Sequence, residues 1–182
     1  SKASFGAANV KLSPVNLLTA VEEAVRREAT DDVRVEIEVD PVLAAMGDFE
    51  LLVRALANLI RNAVHHGGRE NKVVISAATT GEEVTLRVAD QGPGVPEEDL
   101  PKIFDAFYRV DPSRTRDTGG TGLGLAIVKT CMDSCCGSVS AINLQPHGLE
   151  VRITLRAESP ATSATRPDLA GKAASDLAGK SE

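Results

Sequence analysis

Three blocks of this chain carry residue types at spacings that could do chemistry. Thr118 to Leu125 reads TGGTGLGL, Asp90 to Val95 reads DQGPGV, and Asn58 to His66 reads NLIRNAVHH. Glycines let backbone N–H groups come close to phosphate oxygens, and a helix N-terminus behind such a loop adds a favourable dipole. In the third block Asn58, Asn62 and His66 stand four residues apart, in a polar stripe that Glu50 and Arg54 begin. His65 lies one step aside. Asparagine is a poor helix former, so two of them one turn apart are better explained by a shared task than by a solvated face. An Asn side-chain oxygen is a hard, neutral ligand suited to Mg²⁺. The blocks together point to holding a Mg-nucleotide.

Asp90 has two readings. It ends an alternating segment and precedes Gln91-Gly92-Pro93-Gly94, which is ordinary turn chemistry. A buried carboxylate there could also accept a hydrogen bond from an exocyclic amine, and so select adenine over guanine.

The elements that must position these residues follow from periodicity. Ser13-Pro14 reads as an N-cap and first helical position, followed by Val15, Leu18, Val21 and Val25 at helical spacing. Val33, Val35, Ile37 and Val39 alternate with charged residues, as in a half-buried strand. Asp48 can cap a second helix whose apolar side carries Phe49, Leu52, Val53, Leu56, Leu59 and Ala63. Val73–Thr79 and Val84–Ala89 read as strands joined by a turn at Thr80-Gly81, and Pro96-Glu97-Glu98 opens a short helical piece ending near Phe104. A helix running from Gly122 to Met132 should end before Gly137 at C′, and Ser138–Asn143 and Leu149–Leu155 supply the last strands. The expected fold is a two-layer α/β sandwich, a mixed, mostly antiparallel sheet packed on three helices.

Bulk properties agree with one modest domain. A chain of 182 residues is long enough for one good core. No apolar run of about 18 residues is present, so no membrane contact by this piece is expected. Its net charge of −6 argues against a nucleic-acid surface. Cys131, Cys135 and Cys136 cluster in the last helical segment without a metal-site spacing, and read as reduced thiols on or near a buried face of a cytoplasmic protein. Residues 1–12 read as a linker, 13–157 as the domain, and 158–182, where DLAGK occurs twice, as a disordered Ala/Ser/Pro-rich tail.

With these blocks in order, the chain resembles the catalytic and ATP-binding domain of bacterial sensor histidine kinases, in the GHKL ATPase superfamily. NLIRNAVHH is similar to the N box and DQGPGV to the first glycine box. IFDAFYRVD (Ile103–Asp111) is similar to the F box, and GGTGLGLAIVK (Gly119–Lys129) to the second glycine box. The resemblance implies a Bergerat-type fold, ATP and Mg²⁺. It makes Asn62 the Mg²⁺ ligand with Asn58 its companion, His65 the basic residue near the phosphates, and His66 the ring against the nucleotide. Asp90 would read adenine, with Gly92 and Gly94 shaping its pocket. Phe104 and Phe107 would anchor a mobile lid, and Arg109 and Arg114 are its candidates for phosphate contact, Arg109 fitting the pattern better. Gly120, Thr121, Gly122 and Gly124 would close over the phosphates, and Leu123 would pack near the base. The implied catalytic set is Asn58, Asn62, His65 and Arg109.

Two departures refine the expectation. Other branches of the superfamily place a general-base glutamate one turn before the Mg²⁺ asparagine; here that residue is Asn58, which takes no proton near neutral pH. The resemblance further implies a phospho-accepting histidine in a helix with an acidic follower. The three histidines, His65, His66 and His147, do not fit: two belong to the nucleotide block, and His147 lies in the turn Gln145-Pro146-His147-Gly148. The expected piece is therefore a kinase domain whose dimerisation and histidine hairpin lies elsewhere in the parent protein. It would phosphorylate that hairpin in trans for onward transfer to the receiver domain of a response regulator. The isolated piece is expected to be monomeric and cytoplasmic, its parent anchored in the bacterial inner membrane. Two alternatives are a GHKL ATPase that uses nucleotide as a conformational gate, and a non-catalytic nucleotide-binding module.

Overall fold

The computed structural model describes residues 10–28, 33–67, 72–110 and 122–158. Of the linker expected over 1–12, residues 1–9 lie outside the described residues, as do 159–182 of the tail expected over 158–182, and Asp111, Arg114, Gly119, Gly120 and Thr121.

Chain order is β1 (Ser13–Asn16), α1 (Leu17–Glu28), β2 (Arg34–Glu38), β3 (Ala44–Gly47), α2 (Phe49–His66), β4 (Lys72–Thr80), β5 (Glu83–Ala89), α3 (Gly124–Ser134), β6 (Ser138–Asn143) and β7 (Leu149–Arg156). Five strands form one sheet in the order β2-β4-β5-β7-β6, with only β2–β4 parallel. Alternation sends Val73, Ile75, Val84, Leu86, Val88, Val151, Ile153 and Leu155 into the same apolar core as the helices, while Thr85 and Thr154 meet on the opposite face at 3.2 Å. The sheet on three helices is the expected two-layer sandwich.

Helix α2 is the central element of the helical layer. The Asp48 carboxylate accepts the Leu51 N–H at 2.9 Å, as expected of its N-cap. Leu52, Val53, Leu56, Leu59 and Ala63 are buried as the stripe requires, and each fully buried Leu contributes about 2 kcal/mol of apolar transfer. Phe49, on the same stripe, is 36% exposed at the open first turn.

Several boundaries differ from those read in the sequence. Ser13 and Pro14 do not start α1. They lie in β1, which pairs antiparallel with β3, and Asn16 caps the helix by accepting the Thr19 N–H at 2.9 Å. A proline at an edge strand gives the same local signal as a proline at a helix start. The β4–β5 turn is Gly81-Glu82, one residue later, because Thr80 pairs with Glu83. Pro96 to Phe104 forms successive turns instead of a regular helix, bonded Asp99 N–H to Pro96 O (2.9 Å) and Lys102 N–H to Asp99 O (2.8 Å). At the end of α3 the left-handed C′ residue is Cys136 (φ 56°), and Gly137 is C″, its N–H bonding Met132 O at 2.8 Å. Cys131 and Cys135 are buried, whereas Cys136 is exposed.

Candidate nucleotide site

The site sits where the C-terminal end of α2, the loop after β5 and the start of α3 converge. Asp90 continues β5 by one residue: its N–H bonds Leu149 O at 3.0 Å, and its Oδ1 accepts the Gly92 N–H (2.8 Å) and the Leu149 N–H (3.2 Å). It is only 6% exposed. Burial pushes its carboxyl above the ordinary carboxylate range, against the opposing pull of those two N–H donors and of the nearby His66. Asp90 is thus a buried carboxylate that also closes a turn through its bond from the Gly92 N–H.

Gly92 sits beneath the end of α2. A Cβ there would come within 2.3 Å of the His66 carbonyl oxygen, so no other residue keeps this approach. Gly94 follows beside the Asn143 side chain. His65 and His66, both exposed, meet edge-on with ring centroids 4.7 Å apart.

Asn58 is buried, and its Nδ2 donates to Arg54 O at 2.8 Å. With the amide nitrogen so engaged, its Oδ1 is turned toward the head of α3; a Cβ on Gly124 would lie 3.7 Å from it. Asn62, one turn on, is half-buried, and its side chain makes no hydrogen bond to another described residue. From Asn58 and Ile127 an open groove of about 480 Å³ runs along the outer side of the helices past Arg54 to Arg27 and Arg61. Arg61 is held there by Glu28 (2.8 Å) and Arg27 by Glu23 (2.8 Å).

Leu123 occupies the N-cap position of α3, and among the described residues no side chain caps the first N–H groups of the helix. Gly122 (φ 68°) accepts the Phe107 N–H at 3.0 Å, and a Cβ on it would meet Tyr108 O at 2.9 Å. Phe104 is half-buried and packs on the core. Phe107 is 73% exposed at φ 67°, and its described contact with Gly122 is made by its backbone. Tyr108 supplies a second fixed point. Its hydroxyl donates to Asp99 Oδ1 at 2.6 Å, which pushes its pKa up to about 12, and Lys102 lies 5.9 Å above its ring. Arg109 is exposed at the end of this described stretch.

Sequence reading missed Asn143 and Gly148. Asn143 bonds Val95 N–H (2.9 Å), Val95 O (2.6 Å) and Glu97 (2.9 Å), and a Cβ on Gly148 would lie 2.3 Å from Asp90 O. The spacing of NLIRNAVHH and the DQGPGV loop had no counterpart for these two, whose partners are distant in the chain.

Residues 47–159, which hold the buried strand-end carboxylate and the asparagine helix, match a known family model, that of histidine kinase-, DNA gyrase B- and HSP90-like ATPases. The chain belongs to this ATPase family. Within it, the chain is 42% identical over 122 residues to the sensor-like histidine kinase SenX3 of Mycobacterium tuberculosis strain H37Rv, covering 65% of this chain and 30% of SenX3. The chain thus spans 30% of that relative's length. Among solved structures, the mycobacterial sensor histidine kinase MprB superposes with a TM-score of 0.69 at 28% identity, over 81% of this chain and 98% of that one. The ATP-binding domain of PrrB from Mycobacterium tuberculosis gives 0.66 at 27% identity, over 82% and 99%. An ATP-binding domain of the histidine kinase type is the common element, and its α/β sandwich is the one described above. Among the described residues no helix is long and apolar enough to cross a membrane.

Proposed function

We infer that this domain binds Mg-ATP and transfers the γ-phosphate to a histidine on a helical hairpin of its parent sensor kinase. The observation that carries this reading is Asp90: a buried carboxylate whose Oδ1 is saturated by two backbone N–H groups, leaving Oδ2 as the acceptor for an adenine amine. His66 lies beside the base pocket and His65 toward the phosphates. Gly92 and Gly94 bring the loop backbone close to the base, with Leu123 on its other side.

The phosphate end is assigned to the head of α3, where uncapped N–H groups and the helix dipole favour an anion. By their place in the second glycine box, Gly120, Thr121, Gly122 and Gly124 are assigned to phosphate binding, with Arg109 or Arg114 as the lid cation and Phe104 and Phe107 as lid residues. Asn62 fits Mg²⁺, because its amide is uncommitted and accessible; Asn58, with its Oδ1 turned into the same space, is its companion. Bound there, the metal would neutralise charge on the phosphate oxygens.

Asn58 also selects the acceptor. With no carboxylate at this position the site lacks a base to activate water, so ATP is held until an imidazole arrives. The acceptor nitrogen forms the new N–P bond as the bond from the γ-phosphorus to the bridging oxygen breaks, and ADP leaves. The open groove running from Arg54 to Asn58 supports access for a helix from the outer side. Onward transfer goes to a response-regulator aspartate, and the parent is read as anchored in the inner membrane.

Calorimetric titration with a non-hydrolysable ATP analogue and Mg²⁺, with Asp90→Asn as control, tests the site. Saturable binding that the control loses is expected; absence of binding in both proteins would overturn the reading. Mixing the ATP-loaded domain with a histidine-bearing hairpin then separates kinase from ATPase, the first giving phosphohistidine and the second rapid release of phosphate.

A further inference from the structure

Asn143 ends β6, and its carboxamide behaves like a piece of neighbouring strand. Oδ1 accepts the Val95 N–H at 2.9 Å while Nδ2 donates to the Val95 carbonyl at 2.6 Å, so one side chain takes both polar groups of one residue. The same Nδ2 donates to Glu97 Oε1 at 2.9 Å. Gly94 lies so close that a Cβ on it would be 2.7 Å from Asn143 Oδ1. At its other end the loop is held by the two Asp90–Leu149 bonds and by Gly148 against the Asp90 carbonyl. The segment from Asp90 to Val95 is therefore strung between two posts, and both stand on the β6–β7 hairpin.

We propose that Asn143 is a positioning residue of the adenine pocket, which by holding Val95 sets the path of Gly92 and Gly94 and so the surface that the base meets. This rests on the nucleotide reading given above. An unheld loop would still start correctly at Asp90 but would be free to swing between Gly92 and Val95, and binding would then have to order it. Glu97 extends the fixation into the turns that lead to Phe104 and Phe107.

The loop serves the base, not the phosphates, and this gives the test its discrimination. Adenosine, ADP and a non-hydrolysable ATP analogue are titrated into the unsubstituted domain and into Asn143→Leu, at a temperature where far-UV circular dichroism shows both folded. Loss of the paired bonds to Val95 is expected to weaken all three ligands by the same factor, about tenfold. Unchanged affinities in the folded variant, or a loss confined to the ATP analogue, would overturn the proposal. Binding of none of the ligands by the unsubstituted domain would instead bring down the nucleotide reading, and this inference with it.

A polarity exchange covers the case in which Asn143→Leu does not fold. Asn143→Asp keeps the acceptor for Val95 N–H but sets a carboxylate against Glu97, and affinity should fall. Adding Glu97→Gln restores a donor to that contact and should recover part of the affinity for adenosine. Equal affinities of the single and double variants would count against Asn143 as the determinant of the loop.

Discussion

On the proposed function, Asp90 meets opposite demands of folding and binding in one side chain. Its pKa is raised above the ordinary 3.8, chiefly by burial. A raised carboxyl favours the folded state fully below the unfolded pKa, and that contribution is lost as pH rises through the folded value. At neutral pH the ionised group is therefore a burden on the ligand-free domain. Asp90→Asn keeps an oxygen for the Gly92 and Leu149 N–H groups, so thermal unfolding at pH 7 should show stability equal to or greater than that of the unsubstituted protein. Adenine affinity should nevertheless collapse, since the amide turns a donor toward the amine of the base. A melting temperature several degrees lower would contradict this account of the site. For the unsubstituted domain, ATP-analogue affinity should decline on acidification with a midpoint above 3.8, measurable by titration across the acid range.

At the scale of elements, the ends of α3 repay separate treatment. Its C-terminus closes on Cys136 at φ 56°, a conformation that costs a side-chain-bearing residue about 1 kcal/mol. Cys136→Gly should stabilise the domain by about 0.5–1 kcal/mol, visible as a rise of a few degrees in the melting temperature. Its N-terminus depends on Gly122, whose φ of 68° and contact with Tyr108 O leave no room for a methyl group. Gly122→Ala should weaken an ATP analogue more than ADP in parallel titrations; equal effects would place the γ-phosphate elsewhere. The helical periods and the alternation of β4, β5 and β7 were legible because each is a local pattern. Asp48, Asp90 and the asparagine stripe were legible for the same reason. β1 and β3 were not: four-residue strands show too little alternation, and Pro14 signals a helix start equally well. Asn143 was illegible because its partners lie 46 and 48 residues away. The assignment of C′ to Gly137 missed by one residue because glycine is the usual occupant there, while here the strain falls on its neighbour.

For the whole molecule, the division of labour follows the two layers. On the proposed function, the base end stands on strand ends of the antiparallel sheet, and the phosphate end on the head of one helix and a backbone bond between Phe107 and Gly122. On that same reading, Asn58 lies between these ends and governs the fate of ATP. Asn58→Glu should leave nucleotide binding largely intact and raise phosphate release by the isolated domain, as followed in a coupled phosphate assay. Complete loss of binding in that variant would show that Asn58 has been misplaced in the site. On the proposed function, a domain that holds ATP without spending it would suit a parent protein that must wait for a stimulus, and the open groove beside Arg54 is consistent with an approach from the helical side.

The bond from the Leu149 amide to Asp90 Oδ1 makes that amide a spectroscopic gauge. Its nitrogen and proton resonances should shift as Asp90 gains or loses its proton, and should move again when a base engages the opposite oxygen. A single labelled leucine, far from any added chromophore, would then report the charge of the pocket and its occupancy in the same spectrum.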